Sequence, residues 1–349
     1  MITRVGVKNF KCLRDVTVDL ERFTVFVGAN GSGKTSFLQA LDLLCRTFRT
    51  QSVQSGFSTQ PGHADEEFRQ NRSYGTTEEV EMSCESGGTQ FRYRTTSPAQ
   101  MQQYQQSGRT PSGAGAEFAK DGVPPDWKPW QPQHGMSPIP VWLRLDPNIL
   151  RSPQAGQDIR QMGDRGQGMH RALSSMMLER RNDFFKLEAD LSRIVKSVRQ
   201  LQPTAEHEIR FDTVNGKGLN ASQVSEGTLL TLGLLTAIHG VNKPGVLLLD
   251  DLDRALHPKA QRELIDLLRG VQATNPDIQI FASTHSPYML DGMQPNEVLV
   301  TSLREDGSTA CEPLTRHPKF EKWKDEFHPG EMWGVFGETW VTELEAAPK

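Results

Sequence analysis

Residues 28–35 read Gly-Ala-Asn-Gly-Ser-Gly-Lys-Thr, and this run decides the fold. It fits the spacing G-x-x-x-x-G-K-[ST]. The five residues before it, Phe23-Thr24-Val25-Phe26-Val27, are apolar or β-branched and predict a buried strand. Ser36 to Leu44 carry the apolar periodicity of a helix. A glycine-rich turn between strand and helix suits phosphate binding. Gly28, Gly31 and Gly33 let the backbone curl so that successive N–H groups point at phosphate oxygens. The helix N-terminus adds partial positive charge. Asn30, Gly31, Ser32, Gly33, Lys34, Thr35 and Ser36 would line the phosphates of a nucleotide. Lys34 would reach the β- and γ-phosphates, and Thr35 would hold Mg²⁺.

Such a loop needs an acidic strand end to complete the Mg²⁺ shell. Val246-Leu247-Leu248-Leu249-Asp250-Asp251 supplies one. Four apolar residues in a row suit a parallel strand buried on both faces. Two carboxylates at its end suit the edge where open α/β sheets bind ligands. Asp250 would bind Mg²⁺ through water, and Asp251 would polarise the attacking water. A third element, Phe281-Ala282-Ser283-Thr284-His285-Ser286-Pro287, again follows a predicted strand. His285 there is either a γ-phosphate sensor or a structural hydrogen-bond partner. The fourth is Ser225-Glu226-Gly227-Thr228, opening an apolar helix through Ile238. Ser225 is a natural N-cap, and a hydroxyl beside bare amides at a helix start is either an anion site or an ordinary cap.

In this order the four elements resemble the ATP-binding-cassette (ABC) class of P-loop ATPases. They are most similar to its soluble branch, which includes the structural-maintenance-of-chromosomes (SMC), RecF-type and overcoming-lysogenization-defect (OLD) ATPases, often described as AAA-family ATPases of bacterial defence. Val7-Lys8-Asn9-Phe10-Lys11-Cys12-Leu13 resembles that branch's first strand. Leu256-His257-Pro258 and Thr284-His285-Ser286-Pro287 are particularly like the OLD subgroup. The resemblance covers residues 1–45 and about 205–305. It implies an α/β P-loop fold of the ABC ATPase type: a mixed central sheet with helices on both faces, an antiparallel β subdomain and a helical insertion. It also implies two chains sandwiching two ATP molecules. Lys34, Thr35, Asp250, Asp251 and His285 would come from one chain, and Ser225, Glu226 and Gly227 from the other, so that ATP closes a homodimer and hydrolysis opens it. The family usually carries Glu after the Mg²⁺ aspartate, and this chain has Asp251. The shorter side chain implies slow turnover, since a misplacement of about 1 Å can cost about a hundredfold in rate. Gln154 is the candidate for the family's Mg²⁺-sensing glutamine.

Composition bounds the alternatives. A chain of 349 residues with 23% charged residues and net charge −4 shows no nucleic-acid footprint and no basic arm. Cys12, Cys45, Cys84 and Cys311 have no C-x-x-C spacing, which fits reduced thiols in a cytoplasmic protein. The N-terminal residues form no signal peptide, and no run of 18 apolar residues predicts a membrane span.

Along the chain, residues 77–97 predict a hairpin turning at Gly87-Gly88. Residues 98–137, rich in Gln, Gly, Ser and Pro, read as flexible loop, with Trp127, Trp130 and Trp142 framing the return to order. Residues 170–201 carry helical periodicity ending before Pro203, within a helical insertion at about 155–203. The ATPase domain is thus drawn as 1–305, with core lobes 1–97 and 205–305 and Glu297-Val298-Leu299-Val300 as its last strand. Residues 306–349 form a tail rich in aromatics, which either folds back on its own domain or docks a partner.

Three functions fit. The first is a regulatory ATPase sensing infection for a separately encoded effector, such as a nuclease, in anti-phage defence. The second is a RecF-like clamp that binds DNA directly. The third is an assembly scaffold in which ATP only holds the dimer together.

Overall fold

The computed structural model describes residues 1–52, 80–86, 89–94, 140–152, 162–240 and 245–346. These form two compact units, Met1–Pro140 with Gln279–Lys349, and Val141–Ile278. The 98–137 loop with Trp127 and Trp130, the Gly87-Gly88 turn, and Gln154 lie outside the described residues.

The first unit opens with β1 (Ile2–Phe10) and β2 (Leu13–Asp19), an antiparallel pair. Val16 and Val18 of β2 are buried and Asp15, Thr17 and Asp19 exposed, the period-two pattern of a half-covered sheet. All six residues of β3 (Phe23–Gly28) are buried, as an unbroken apolar run requires. α1 (Lys34–Ser52) packs its apolar stripe inward, with the Phe37 ring stacked on Phe26 at 5.0 Å. The expected hairpin is present as β4 (Glu81–Ser86) and β5 (Thr89–Arg94). It joins an antiparallel sheet in the order β2-β1-β4-β5. Burial pushes the Cys45 thiol far up and the Cys84 thiol to about 12, so both stay protonated and inert.

The second unit contains β6 (Pro140–Leu143), α2 (Pro147–Arg151), α3 (Met169–Glu179) and α4 (Arg181–Ile194). Next come β7 (Val198–Pro203), β8 (Ile209–Thr213) and β9 (Gly216–Leu219), an antiparallel three-stranded sheet. α5 (Glu226–Ile238), β10 (Val246–Leu249) and α6 (Pro258–Thr274) complete it. The helical pattern predicted through 201 therefore ends at 194. Val198 and Leu201, three apart and both buried, lie on β7. A bulge between Val198 and Gln200 adds a residue to that strand. It brings i and i+3 to one face and so imitates a helix period. His170 staples the unit: its Nε2 bonds Leu150 O at 2.8 Å and its Nδ1 accepts from Ile209 N at 3.1 Å.

The chain then returns to the first unit. β11 (Gln279–Thr284) lies parallel to β3, with Thr284 opposite Val27. After α7 (Pro287–Leu290), β12 (Val298–Leu303) lies parallel to β3 on its other side, with Thr301 opposite Gly28. β13 (Thr309–Pro313) pairs antiparallel with β12. In the first unit these strands form a mixed sheet in the order β13-β12-β3-β11, and in the second unit β10 neighbours β6. The sequence ended the strands at 300, so β13 corrects it. The turn that precedes β13 holds Gly307 at φ 77°. Three helices close the chain: α8 (Phe320–Trp323), α9 (Pro329–Phe336) and α10 (Thr339–Ala346). Part of the aromatic tail folds inward. Met332, Trp340 and Val341 are buried, and His317 stacks on Phe336 at 4.1 Å with Trp340 edge-on at 5.0 Å.

Candidate functional site

The 28–35 loop leaves β3 and enters α1, whose first turn carries no acidic residue to compete for an anion. Gly28, Gly31 and Gly33 have φ of 154°, 80° and 103°. At Gly28 a β-carbon would meet Thr301 O at 2.1 Å, and at Gly33 it would meet Thr309 Oγ1 at 2.3 Å. Both positions are packed against the β12–β13 hairpin. At Gly31 nothing lies within 4 Å. The loop therefore has a closed rear and an open front. Among the described residues the Gly31 and Gly33 amides meet no hydrogen-bond acceptor.

Lys34, only 5% exposed, curls into this loop and donates from Nζ to Gly28 O at 2.9 Å and Ala29 O at 2.8 Å. A cation is thus held where the loop opens. Ala29, Asn30 and Gly31 are exposed, Ser32 and Gly33 buried, Thr35 exposed and Ser36 half-buried. Cys12 donates from Sγ to Ser36 Oγ at 3.4 Å. His285 follows β11 directly, one residue past the Thr284–Val27 register, so β3 and β11 bring it to the level of Gly28. It is half-buried, and Ser286 N donates to Thr284 Oγ1 at 3.0 Å to fix the turn.

The two aspartates and the 225–227 segment lie in the second unit. β10 is buried throughout, and Asp250 and Asp251 follow at its end, half-buried and exposed respectively. Asp251 has φ 50°, and Ala255 four residues on has φ 56°. This left-handed region is uncommon for residues other than glycine, and Asp is among the residues enriched there. A cavity of about 200 Å³ opens beside them, lined by Leu145, Leu234, Leu249, Asp250, Asp251 and Arg254 among others.

Ser225 caps α5, its Oγ accepting from Thr228 N at 3.2 Å. Glu226 pairs with Arg254 at 3.1 Å. A β-carbon on Gly227 would lie 2.3 Å from Ala255 O, and Gln261 donates to Leu256 O at 2.9 Å. The start of α5 and the 251–256 loop are thereby locked together. The helix start is not bare: its hydroxyl is already a cap and its first turn already holds an acid.

Sequence reasoning singled out the loop, the aspartates, His285 and the 225–227 segment. It missed Thr301 and Thr309 behind the loop, and Arg254 and Gln261 around the acidic turn. A buried threonine within the apolar strand Val298-Leu299-Val300-Thr301 was the available signal for the first.

The residues present suit Mg²⁺, a hard cation that takes oxygen donors and keeps several waters. Thr35 offers an exposed hydroxyl and Asp250 a strand-end carboxylate. No group of three His, Cys, Asp or Glu able to cage a metal alone occurs among the described residues. No helix among them is long and apolar enough to cross a membrane.

Comparison with known proteins agrees with this geometry. The family model "AAA ATPase domain" matches residues 1–87, and "AAA domain, putative AbiEii toxin, Type IV TA system" matches residues 127–291. The OLD nuclease of Thermus scotoductus is 50% identical over 44 residues, covering 13% of this chain and 8% of the relative. The Septu protein PtuA of Bacillus thuringiensis is 39% identical over 70 residues, 20% of this chain and 17% of the relative. The DNA replication and repair protein RecF of Acinetobacter baylyi is 48% identical over 52 residues, 14% of each. The matches thus span 8% to 17% of the length of these curated relatives. In fold, the chain resembles the SMC head solved bound to the C-winged helix domain of ScpA. The TM-score is 0.50 at 14% identity, covering 92% of this chain and 99% of that one. The chain thus matches ATPase-domain models over residues 1–87 and 127–291 and shares the α/β fold of an SMC head.

Proposed function

We propose that the chain binds and hydrolyses ATP as an ATP-sandwiched homodimer, and that it serves as the sensor subunit of a separately encoded effector, such as a nuclease, in anti-phage defence. One observation carries the nucleotide part: the Lys34 ammonium is held on the Gly28 and Ala29 carbonyls inside a loop closed behind and open in front. That is a preformed cradle for an anionic triphosphate. Lys34 exchanges those carbonyls for the β- and γ-phosphate oxygens, and the loop amides from Asn30 to Ser36 take the rest. Thr35 and Asp250 hold Mg²⁺, which neutralises phosphate charge when bound. Asp251 orients water toward the γ-phosphorus and accepts its proton, His285 contacts the γ-phosphate, and ADP and phosphate leave. Ser225, Glu226 and Gly227 close the site from the second protomer.

Kinship with PtuA and the OLD nuclease supports the defence role. Two measurements test the proposal together: ATP turnover by the purified chain, and the mass of the assembly recovered with its native neighbouring gene products in Mg-ATP. Turnover with a stable hetero-assembly is the expected result. A chain that neither turns over ATP nor joins a partner contradicts it. The match to RecF favours a second reading, a clamp on DNA. Duplex-stimulated turnover by an ATP-dependent homodimer without an effector would select that one instead.

A further inference from the structure

The rear of the 28–35 loop is organised by one side chain. Thr301 is fully buried on β12, the only hydroxyl in the strand's otherwise apolar first four residues, Val298-Leu299-Val300-Thr301. Its Oγ1 lies 3.1 Å from Val27 O and 2.6 Å from Ser32 Oγ. A carbonyl can only accept, and a threonine hydroxyl has one proton to give. Thr301 therefore donates to Val27 O, and Ser32 donates to Thr301. Ser32 is 1% exposed, so no bulk water replaces that bond. The same residue sets the other end of the loop: a β-carbon on Gly28 would sit 2.1 Å from Thr301 O and 2.6 Å from Thr301 Oγ1. Gly28 and Ser32 bracket Ala29, and the carbonyls of Gly28 and Ala29 are the two that hold Lys34. One buried residue thus fixes both ends of the segment whose carbonyls hold the lysine.

We propose that Thr301 is a positioning residue of the phosphate loop, holding Gly28 and Ser32 so that Lys34 and the loop amides meet the triphosphate in register. The inference rests on the ATPase reading above. The Thr301→Val variant keeps the shape but can neither donate to Val27 O nor accept from Ser32, leaving the buried Ser32 hydroxyl without its partner. The expected result is a KM for ATP raised by about tenfold or more, because small displacements of binding groups are costly. Thr301→Ser keeps the hydroxyl and should restore the wild-type KM. Ser32→Ala leaves the Thr301–Val27 bond in place and removes only the loop-side donor, so it should raise KM with little risk to folding. The double variant Thr301→Val with Ser32→Ala removes the orphaned Ser32 donor. Its melting temperature should recover relative to Thr301→Val while its KM stays high.

A merely structural hydroxyl gives the opposite pattern, in which KM tracks melting temperature and recovers in the double variant. That result, or an unchanged KM in both Thr301→Val and Ser32→Ala, overturns the proposal while wild-type turnover leaves the ATPase reading standing. A wild-type chain that neither binds nor turns over ATP overturns both.

Discussion

The α-carbon of Gly227 and the carbonyl oxygen of Ala255 approach so closely that a β-carbon on residue 227 would lie 2.3 Å from that oxygen. The contact ties the first turn of the apolar helix α5 to the loop that begins at Asp251. The Glu226–Arg254 ion pair at 3.1 Å runs beside it. The pair is half exposed and contributes little to stability, while the backbone contact leaves no room to adjust.

Gly227→Ala should therefore displace the 251–255 loop. Overpacking of this kind costs about 1–3 kcal/mol of stability. Turnover should fall by about tenfold or more, since a small shift of Asp251 would misplace the water that we propose it orients. Nucleotide binding to the 28–35 loop of a single protomer should change far less, since in our proposal Gly227 meets ATP only in the closed dimer. Paired measurements of the unfolding midpoint, KM and kcat check this. A variant with an unfolding midpoint and kcat equal to wild type would show that the loop accommodates the methyl group.

Asp251 stands at φ 50°. Asn adopts left-handed backbone as readily as Asp, whereas a longer side chain there costs about 1 kcal/mol. Asp251→Asn should preserve folding and reduce kcat by about a hundredfold or more, the loss typical of a removed general base. Asp251→Glu lengthens the side chain but carries that backbone cost, and should not exceed wild-type turnover. Single-turnover kinetics on both variants, alongside their melting curves, decide the matter. Undiminished hydrolysis by Asp251→Asn would remove Asp251 from the mechanism.

Burial holds the His170 imidazole below its usual range, against an upward pull from its bond to Leu150 O and from the charge of Glu208. The Ile209 N–H aimed at Nδ1 also requires that nitrogen to stay unprotonated. As pH falls through the free imidazole value of about 6.5, the unfolded chain takes up a proton and the folded chain does not. This contribution to stability is complete above that value and is lost on acidification. His317, also lowered by burial and by Lys319, acts in the same direction. In His170→Gln the amide keeps one donor and one acceptor but does not titrate. Denaturant midpoints at about pH 7.5 and about pH 5, either side of that imidazole value, should differ less in the variant than in wild type. Equal pH slopes would show that His170 does not titrate on unfolding.

Much of this architecture is legible in the sequence because its decisive elements are local. β3, α1 and β10 declare themselves as unbroken apolar or periodic runs, and the glycines of the 28–35 loop are required by backbone geometry. What escaped detection is non-local or masked. The β7 bulge puts Val198 and Leu201 on one face and so mimics a helix. β13 is five residues long, and its Thr309-Ala310-Cys311-Glu312-Pro313 lacks the alternation of a strand. Thr301 is silent in the sequence because Ser32, its partner, is 269 positions away. The Glu226–Arg254 pair and the Ala255 carbonyl against Gly227 are likewise products of folding that no spacing rule encodes.

The central claim is that the loop around Lys34 binds ATP. Equilibrium titration of the wild-type chain and of Lys34→Ala with Mg-ATP, with unfolding midpoints measured in parallel, tests it most directly. The account predicts saturable binding by wild type and an affinity lower by about a hundredfold in Lys34→Ala, as for loss of a charged contact worth about 2–3 kcal/mol. Equal affinity in two equally folded proteins, or no binding by either, would contradict it.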